Sequence, residues 1–204
     1  MNNLKAIPAS PKTGNERLED NGKKIDYTLL DFWRWSVSDL LSNATRGRFA
    51  EFIVGTAIKL NPSDLRDEWD AYDLQTSSGI KIEVKSAAYI QSWNQKKYSN
   101  ISFSIKPARL WDEIENERKL EAKRYADVYV FCHLKHKNQE TINPLKMEQW
   151  DFYVLPTISL DNYQQGQGSI TLGALKKLTS PVEYAQLKDE IEQQFKAQKN
   201  EKTN

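Results

Sequence analysis

The stretch that decides the fold is YDLQTSSGIKIEVKSA, residues 72–87, where apolar and polar side chains alternate on both sides of a short polar segment. Such alternation is typical of strands with one buried face. The segment SSG, residues 77–79, suits a three-residue hairpin loop because Gly79 can adopt a positive φ. This loop pairs Leu74 with Ile82 and collects the apolar side chains on one face. A slip by one residue would mix the two faces, so the apolar pattern fixes the register.

The opposite face of this hairpin carries charge. The same register sets Asp73 directly against Glu83, with Lys85 two residues further along that face and Ala71 opposite the lysine. Carboxylates on opposite residues lie about 5 Å apart and repel. A divalent cation between them would turn this repulsion into coordination, and Mg²⁺ commonly takes one or two carboxylates together with water and substrate phosphate. The alternative is that these charges form the solvated face of the hairpin.

The remainder of the sequence supplies helices and further strands around this hairpin. We expect helices over residues 28–41, 46–60 and 181–198, and strands over residues 71–76, 80–87, 100–105, 127–134 and 150–156. Thr28 and Asp31 suit the cap of the first helix, which is also the first expected ordered element and carries an apolar stripe. Residues 107–126 are charge-rich and are expected to be helical or irregular. This order predicts an α/β (α+β) fold with a mixed central β-sheet flanked by helices.

Composition limits the class of protein. The chain has 204 residues, with 28% charged residues and a net charge of +1, which argues against a polybasic nucleic-acid coat. The single cysteine excludes an intramolecular disulfide, and no apolar run approaches the roughly 20 residues of a membrane span. We therefore expect a cytoplasmic protein with no membrane partner. The expected domains are a flexible arm over residues 1–26, one domain over 27–195 and a disordered charged tail over 196–204.

The charged face of the hairpin resembles the motif of the PD-(D/E)XK nuclease superfamily, which has the restriction-endonuclease-like fold. The motif is an acid, a variable gap, a second acid, one apolar residue and a lysine. Here these are Asp73, nine intervening residues, and Glu83-Val84-Lys85. Tyr72 replaces the variable proline before the first acid. Many members also carry an acid on the preceding helix, and Glu51 in the segment RGRFAEF occupies that place.

The resemblance implies a catalytic set of five side chains, Asp73, Glu83, Lys85, Glu51 and Gln91. Asp73 and Glu83 would be ligands of Mg²⁺, for which Mn²⁺ can substitute. Glu51 would be an auxiliary ligand, and the backbone carbonyl of Val84 would also face the metal. Lys85 would position or activate the attacking water. Asp70 is a rival for the first acid, although its three-residue offset from Asp73 puts it on the opposite face of an extended strand.

Five side chains near this motif are candidates for nucleic-acid binding: Arg46, Arg48, Trp93, Lys96 and Lys97. The two arginines flank the start of the Glu51 helix, where phosphate binding is favourable. Trp93 and the two lysines mix aromatic and basic groups, which suits base stacking and phosphate contact. The alternatives are ordinary surface arginines and a solvated loop with one anchoring tryptophan.

Three other residues carry groups that can bind a metal ion or act as a nucleophile. His133 and His136 are three apart, but no cysteine or acidic cluster adjoins them, so metal binding by them is not expected. Cys132 lies in the apolar segment YVFCHL, where a buried structural thiol is expected rather than a nucleophile.

From the resemblance we expect a Mg²⁺-dependent DNA endonuclease that hydrolyses phosphodiester bonds by metal-activated water, with a role in restriction or anti-phage defence. The alternatives are a repair or recombination nuclease, an enzyme acting on another phosphoryl substrate, and a non-catalytic nucleic-acid-binding or assembly subunit on the same fold. DNA is the expected partner. A homodimer is expected by analogy with nucleases of this fold that cut both strands.

Overall fold

The computed structural model describes residues 7–61, 65–66, 71–112, 117–163 and 167–201. They divide into two units, one formed by residues up to Asp39 together with Asn61–Arg66, and the other by Leu40–Leu60 together with the chain from Asp67 onward. The described helices and strands are, in chain order, β1 (Arg17–Asp20), β2 (Lys23–Thr28), α1 (Leu29–Val37), α2 (Asn43–Ala57), β3 (Leu74–Gln75), β4 (Lys81–Ala88), β5 (Ser102–Ser104), β6 (Ala108–Asp112), β7 (Glu117–Lys123), β8 (Val128–Leu134), β9 (Trp150–Pro156), α3 (Thr157–Asn162), β10 (Ser169–Thr171), α4 (Leu172–Leu178) and α5 (Leu187–Glu201).

The second unit is built around a four-stranded mixed sheet in the order β3-β4-β8-β9. β4 runs antiparallel to β3 and parallel to β8, and β9 runs antiparallel to β8. The predicted α/β fold with a mixed central sheet is therefore confirmed. The strands predicted from their β-branched and aromatic residues became β8 and β9 with nearly the expected bounds, and all seven residues of β8 are buried.

Both faces of this sheet are covered, and alternate residues of each strand serve different cores. One core contains Ile82, Val84 and Val130 from the sheet and side chains from α2 and α5, such as Ile53 and Ile191. The other core contains a second set of apolar side chains: Ala87, Tyr129, Phe131, Tyr153, Phe103, Ile170 and Leu175. Glu83 and Lys85 alternate with Ile82 and Val84, so they belong to the face of the second core.

The first unit corrects the expectation that helix α1 is the first ordered element. β1 and β2 form an antiparallel hairpin, so the first regular element is not α1. The backbone carbonyls of Gly14 and Glu16 accept hydrogen bonds from the N–H groups of Leu30 and Leu29 at 2.9 and 2.8 Å. The predicted Thr28 cap is confirmed as a reciprocal capping box with Asp31.

Helix α1 also differs from the prediction in its packing. Its apolar stripe consists of Leu29, Phe32, Trp33 and Val37, a pattern typical of a helix that packs on a core, but α1 contains no buried residue, and Phe32 is 52% exposed. A second difference lies in the charge-rich segment over residues 107–126. It contains the antiparallel pair β6 and β7 instead of a helical or irregular stretch.

The hairpin around Gly79 has the predicted centre and a shorter first strand. Leu74 pairs with Ile82, the N–H of Thr76 donates to the carbonyl of Ile80 at 2.9 Å, and Gly79 has φ of +86°. The ladder ends at Leu74, so the predicted directly opposed pair of Asp73 and Glu83 does not form. Instead, Asp73 Oδ2 accepts a hydrogen bond from the N–H of Val84 at 2.7 Å. The carboxylate thus replaces the backbone acceptor that a longer β3 would have provided.

This hydrogen bond predicts different outcomes for two substitutions of Asp73. Asp73→Asn keeps a side-chain oxygen that can accept from Val84, so the free energy of unfolding should stay near that of the wild type. Asp73→Ala leaves a buried N–H without that acceptor and should cost about 1–3 kcal/mol. Urea denaturation of the two variants measures the difference, and equal destabilisation by both would contradict it.

Candidate active site

The acidic centre of the candidate site is Glu83, in the middle of β4. This strand lies between β3 and β8, and Glu83 is adjacent to Tyr129 in the parallel register. Tyr129 is 4% exposed, and burial followed by the charge of Glu83 raises the pKa of its phenol. The sheet therefore provides a rigid support in which a carboxylate lies beside a phenol that stays protonated. No sequence pattern indicates Tyr129, because it becomes a neighbour of Glu83 only through the parallel pairing of strands more than 40 residues apart.

Asp73 lies next to Glu83 because of its bond to Val84. In a strand, the N–H and the C=O of one residue point toward the same neighbouring strand. The N–H of Val84 points to Asp73, so the carbonyl of Val84 lies on the same edge of β4. The three candidate ligand groups from this hairpin, two carboxylates and one carbonyl, are therefore grouped around one position on β4.

The electrostatics of Glu83 show how closely the acids are gathered. Burial raises the pKa of Glu83 most, the charge of Asp73 raises it further, and Glu51 on α2 adds a smaller effect in the same direction. Lys85 opposes these effects through its charge and its hydrogen bond to Glu83. The structure thus brings together four of the five side chains predicted to be catalytic, namely three carboxylates and the Lys85 ammonium.

Lys85 and Glu83 form an ion pair between Nζ and Oε1. Their side chains are 29% and 20% exposed, so the pair is partly shielded but remains open to a ligand. Both residues project from the same face of one strand, two residues apart, which fixes their spacing without any loop. An ammonium held at this place can donate to a substrate oxygen and stabilise negative charge that develops there.

The donor set around Glu83 fits a hard divalent cation. Mg²⁺ prefers oxygen ligands, accepts one or two carboxylates and retains several waters. Asp73, Glu83 and the Val84 carbonyl provide such oxygens, and the raised pKa of Glu83 marks a position where positive charge would be stabilising. Within the part of the chain that the structure describes, no group of three or more His, Cys, Asp or Glu side chains is arranged to hold a metal ion. Glu51 is therefore near the acids without completing a closed protein cage.

Gln91 belongs to a hydrogen-bond network that lies beyond the end of β4. Its Nε2 donates to the carbonyl of Ala88 at 2.8 Å and to Ser99 Oγ at 3.1 Å. Its Oε1 accepts from Arg46 Nη1 at 3.0 Å. These bonds tie the loop after β4 to helix α2, and none of them goes to Glu83 or Lys85.

Arg46 is not an ordinary surface arginine. It is 4% exposed and donates to the carbonyl of Leu41 at 2.9 Å and to Asn43 Oδ1 at 2.6 Å, besides its bond to Gln91. Burial lowers the pKa of its guanidinium. Asn43 was not among the predicted residues, because no local pattern indicates that an asparagine will support a buried arginine.

The remaining candidates for nucleic-acid binding lie on the outer surface of the second unit. Arg48, Lys96 and Lys97 are exposed, and Trp93 is 53% exposed. Tyr98, beside the two lysines, donates through its hydroxyl to the carbonyl of Lys137 at 2.8 Å. Lys137 Nζ lies 4.3 Å from the ring centre of Tyr89 and 5.5 Å from that of Tyr98. Asp70, the rival for the first acid, lies outside the described residues.

The two histidines and the cysteine have separate environments. His136 Nε2 shares a hydrogen bond with Thr141 Oγ1 at 2.7 Å. Cys132 is fully buried, and burial raises the pKa of its thiol. His133 is 2% exposed, and neither ring nitrogen has a hydrogen-bond partner among the residues described. Its ring packs edge-on against Tyr89, with 4.7 Å between the ring centres.

The burial of His133 predicts a loss of stability in acid. Burial lowers the pKa of His133 to about 4, with Lys176, Lys135 and Lys137 acting in the same direction and Asp151 against it. The unfolded chain takes up a proton near pH 6.5, but the native state does not. The contribution of the neutral, buried His133 to the free energy of unfolding is therefore fully present above pH 6.5. It is lost as the pH falls toward 4, by about 3 kcal/mol. Denaturation of His133→Leu from pH 7 to pH 4 should show a shallower pH dependence, and an unchanged slope would contradict the assignment.

The comparison with known families agrees with a nuclease site. The family model described as bacteriophage T4 endonuclease IV matches residues 3–172 of the 204 in the chain. This match includes α2, β4, β8 and every residue discussed above as a candidate for catalysis or binding. A search of curated proteins finds no match. In the described ranges, no helix is both long enough and apolar enough to cross a membrane. Since the family model covers well over half of the chain, the protein belongs to the bacteriophage T4 endonuclease IV family and is a nuclease.

Proposed function

We propose that the protein is a Mg²⁺-dependent DNA endonuclease whose site is of the PD-(D/E)XK type. The observation that carries this proposal is the position of Asp73 next to Glu83 and the Lys85 ammonium on β4, with Glu51 on α2 near enough to affect the charge of Glu83. Membership of an endonuclease family supports phosphodiester hydrolysis as the reaction. The proposal concerns the reaction alone, because restriction, repair and mobile-element processing would use the same site.

The residues of the proposed site have different roles. Asp73, Glu83 and the carbonyl of Val84 would hold Mg²⁺, with Glu51 close enough to stabilise the added charge. The chemistry that Mg²⁺ supplies when bound is Lewis-acid polarisation of the phosphodiester and a more nucleophilic water at neutral pH. Neutralisation of the acids by the cation would release Lys85 from its ion pair with Glu83.

Lys85 then acts on the substrate directly. Its Nζ can donate to a phosphate oxygen and stabilise the charge that develops during attack. Because Lys85 projects from a central strand, it needs no loop movement to reach this position. Mn²⁺, which takes similar oxygen ligands, is expected to substitute for Mg²⁺.

The proposal predicts that Glu83→Gln and Lys85→Met abolish cleavage without unfolding the protein. Each removes a group that acts on the substrate or on the cation, so the cleavage rate should fall by about 10²–10³-fold or more. Nicking of supercoiled plasmid with Mg²⁺, Mn²⁺, Ca²⁺ or EDTA measures the loss and the metal dependence. Circular dichroism and thermal melting report whether each variant remains folded.

Lys81→Gln is a matched control for these variants. Lys81 lies on the same strand and the same face, but its Nζ is 5.1 Å from the ring centre of Tyr72 and it takes no part in the proposed reaction. This variant should cut DNA at the wild-type rate. If Glu83→Gln and Lys85→Met also cut at that rate, the site assignment is wrong. If the wild type binds DNA but cuts it with none of the metals, a non-catalytic binding role replaces the proposal.

A further inference from the structure

A polar cleft of about 380 Å³ lies at the end of β4 that follows the candidate active site. Its lining includes Ser86 on β4, Gln91 and Asn100 in the loop after β4, and Asn43 and Arg46 on α2. All of these residues belong to the second unit. No function has so far been given to this cleft, and its lining is dominated by hydrogen-bonding groups and one cation.

The first feature of this cleft is the N-terminus of α2. This helix has 15 residues, its N-cap Ser42 makes no side-chain capping hydrogen bond, and its first turn contains no acidic residue. The N–H groups at the start of a helix lack intrahelical partners, and the helix dipole adds partial positive charge there. The start of α2 is therefore a favourable place for an anion.

The second feature, independent of the first, is the state of Arg46. The residue is only 4% exposed although it lines the cleft, and its Nε has no hydrogen-bond partner in the described part of the chain. Its three acceptors are the carbonyl of Leu41, Asn43 Oδ1 and Gln91 Oε1, all of which are neutral. A buried cation with neutral partners only is costly, and an anion in the cleft would reduce that cost.

The third feature is the position of the cleft relative to Glu83 and Lys85. Ser86, Ala87 and Ala88 line the cleft and directly continue the strand. Ala87 lies on the same face as Lys85, two residues further on, which is about 7 Å along a strand. This separation is comparable to the rise of about two nucleotides in a DNA strand.

We propose that this cleft binds a backbone phosphate of the DNA close to the scissile phosphodiester, with Arg46, Asn43 and the N-terminal N–H groups of α2 as its donors. Gln91 acts as a positioning residue, because it holds the Arg46 guanidinium and the loop after β4 in one arrangement. Contacts to phosphate of this kind fix the register of a nucleic acid without reading its sequence. The cleft would thereby place the scissile bond at Lys85. This inference rests on the proposed function for the identity of its ligand.

The test uses Asn43→Asp, which is designed to preserve the fold. Asn43 is the first residue of α2, where a carboxylate interacts favourably with the helix dipole and with Arg46 Nη2, now 2.6 Å from Oδ1. The melting temperature should therefore equal or exceed that of the wild type. The same carboxylate should repel an anion, so binding of inorganic phosphate, measured by calorimetry, should weaken at least tenfold.

The experiment with DNA measures how the affinity of the protein for a DNA duplex depends on salt concentration. Loss of one phosphate contact should weaken binding of a DNA duplex in Ca²⁺ about tenfold and reduce the slope of log K against log salt by about 1. Gln193→Glu, the same change of charge at an exposed position of α5, should alter neither quantity. Glu83→Gln and Lys85→Met should retain phosphate binding, because they leave the cleft intact.

Two results would overturn the inference. One is an Asn43→Asp protein with wild-type phosphate affinity and an unchanged salt slope. The other is loss of phosphate binding in Lys85→Met with retention in Asn43→Asp, which would place the anion at the catalytic lysine instead. Failure of the wild type to cleave DNA with any metal would refute the proposed function separately, since the phosphate and salt measurements do not depend on cleavage.

Discussion

The arrangement of the site depends on one hydrogen bond, from the N–H of Val84 to the carboxylate of Asp73. Regular pairing between β3 and β4 ends at Leu74, so the sheet no longer supplies a backbone acceptor at this point. An unpaired buried N–H costs about 1–3 kcal/mol, and the Asp73 carboxylate removes that cost. The same bond, together with the bond from the N–H of Asp73 to the carbonyl of Ile82 at 3.0 Å, holds Asp73 near Glu83 despite their repulsion. The end of regular pairing and the grouping of ligand oxygens therefore occur at the same place on β4.

The sequence predicts the parts of this fold that rest on local pattern. The register of Leu74 with Ile82 follows from apolar alternation, because a shift of one residue exposes every apolar side chain of the hairpin. The capping box of Thr28 and Asp31 follows from residue types three positions apart. Glu83 and Lys85 share a face for the same reason of alternation. In each case the determining neighbours are close in sequence.

The features of the fold that the sequence did not predict depend on residues that are far apart in the sequence. One of the acceptors of the buried Arg46 is Gln91, 45 residues later, and nothing near Arg46 in the sequence indicates this contact. Tyr129 lies beside Glu83 only after β4 and β8 pair in parallel. The strands β6 and β7 come from a charge-rich segment without apolar alternation, so the usual signal of a strand was missing there. Local sequence therefore predicts β4 and the residues on its faces, whereas long-range pairing determines what surrounds them.

The second unit holds a partly buried acid and a buried base near the same strand. Burial, followed by the charges of Asp73 and Glu51, raises the pKa of Glu83, and Lys85 acts in the opposite direction. At Arg46 on α2, the acceptors among the described residues are all neutral. Stability alone would select against both arrangements, since apolar residues can replace buried charges at little or no cost. Ligands of opposite sign would relieve each of them, a cation at the acids and a phosphate at the arginine. Local conflicts of this kind are expected where binding rather than folding determines the residue. In this protein Glu83 lies on β4, and Arg46 lies on α2 beside the cleft that the end of β4 lines. This arrangement would suit the proposed activity, in which an anionic chain is held at one point and cut at another.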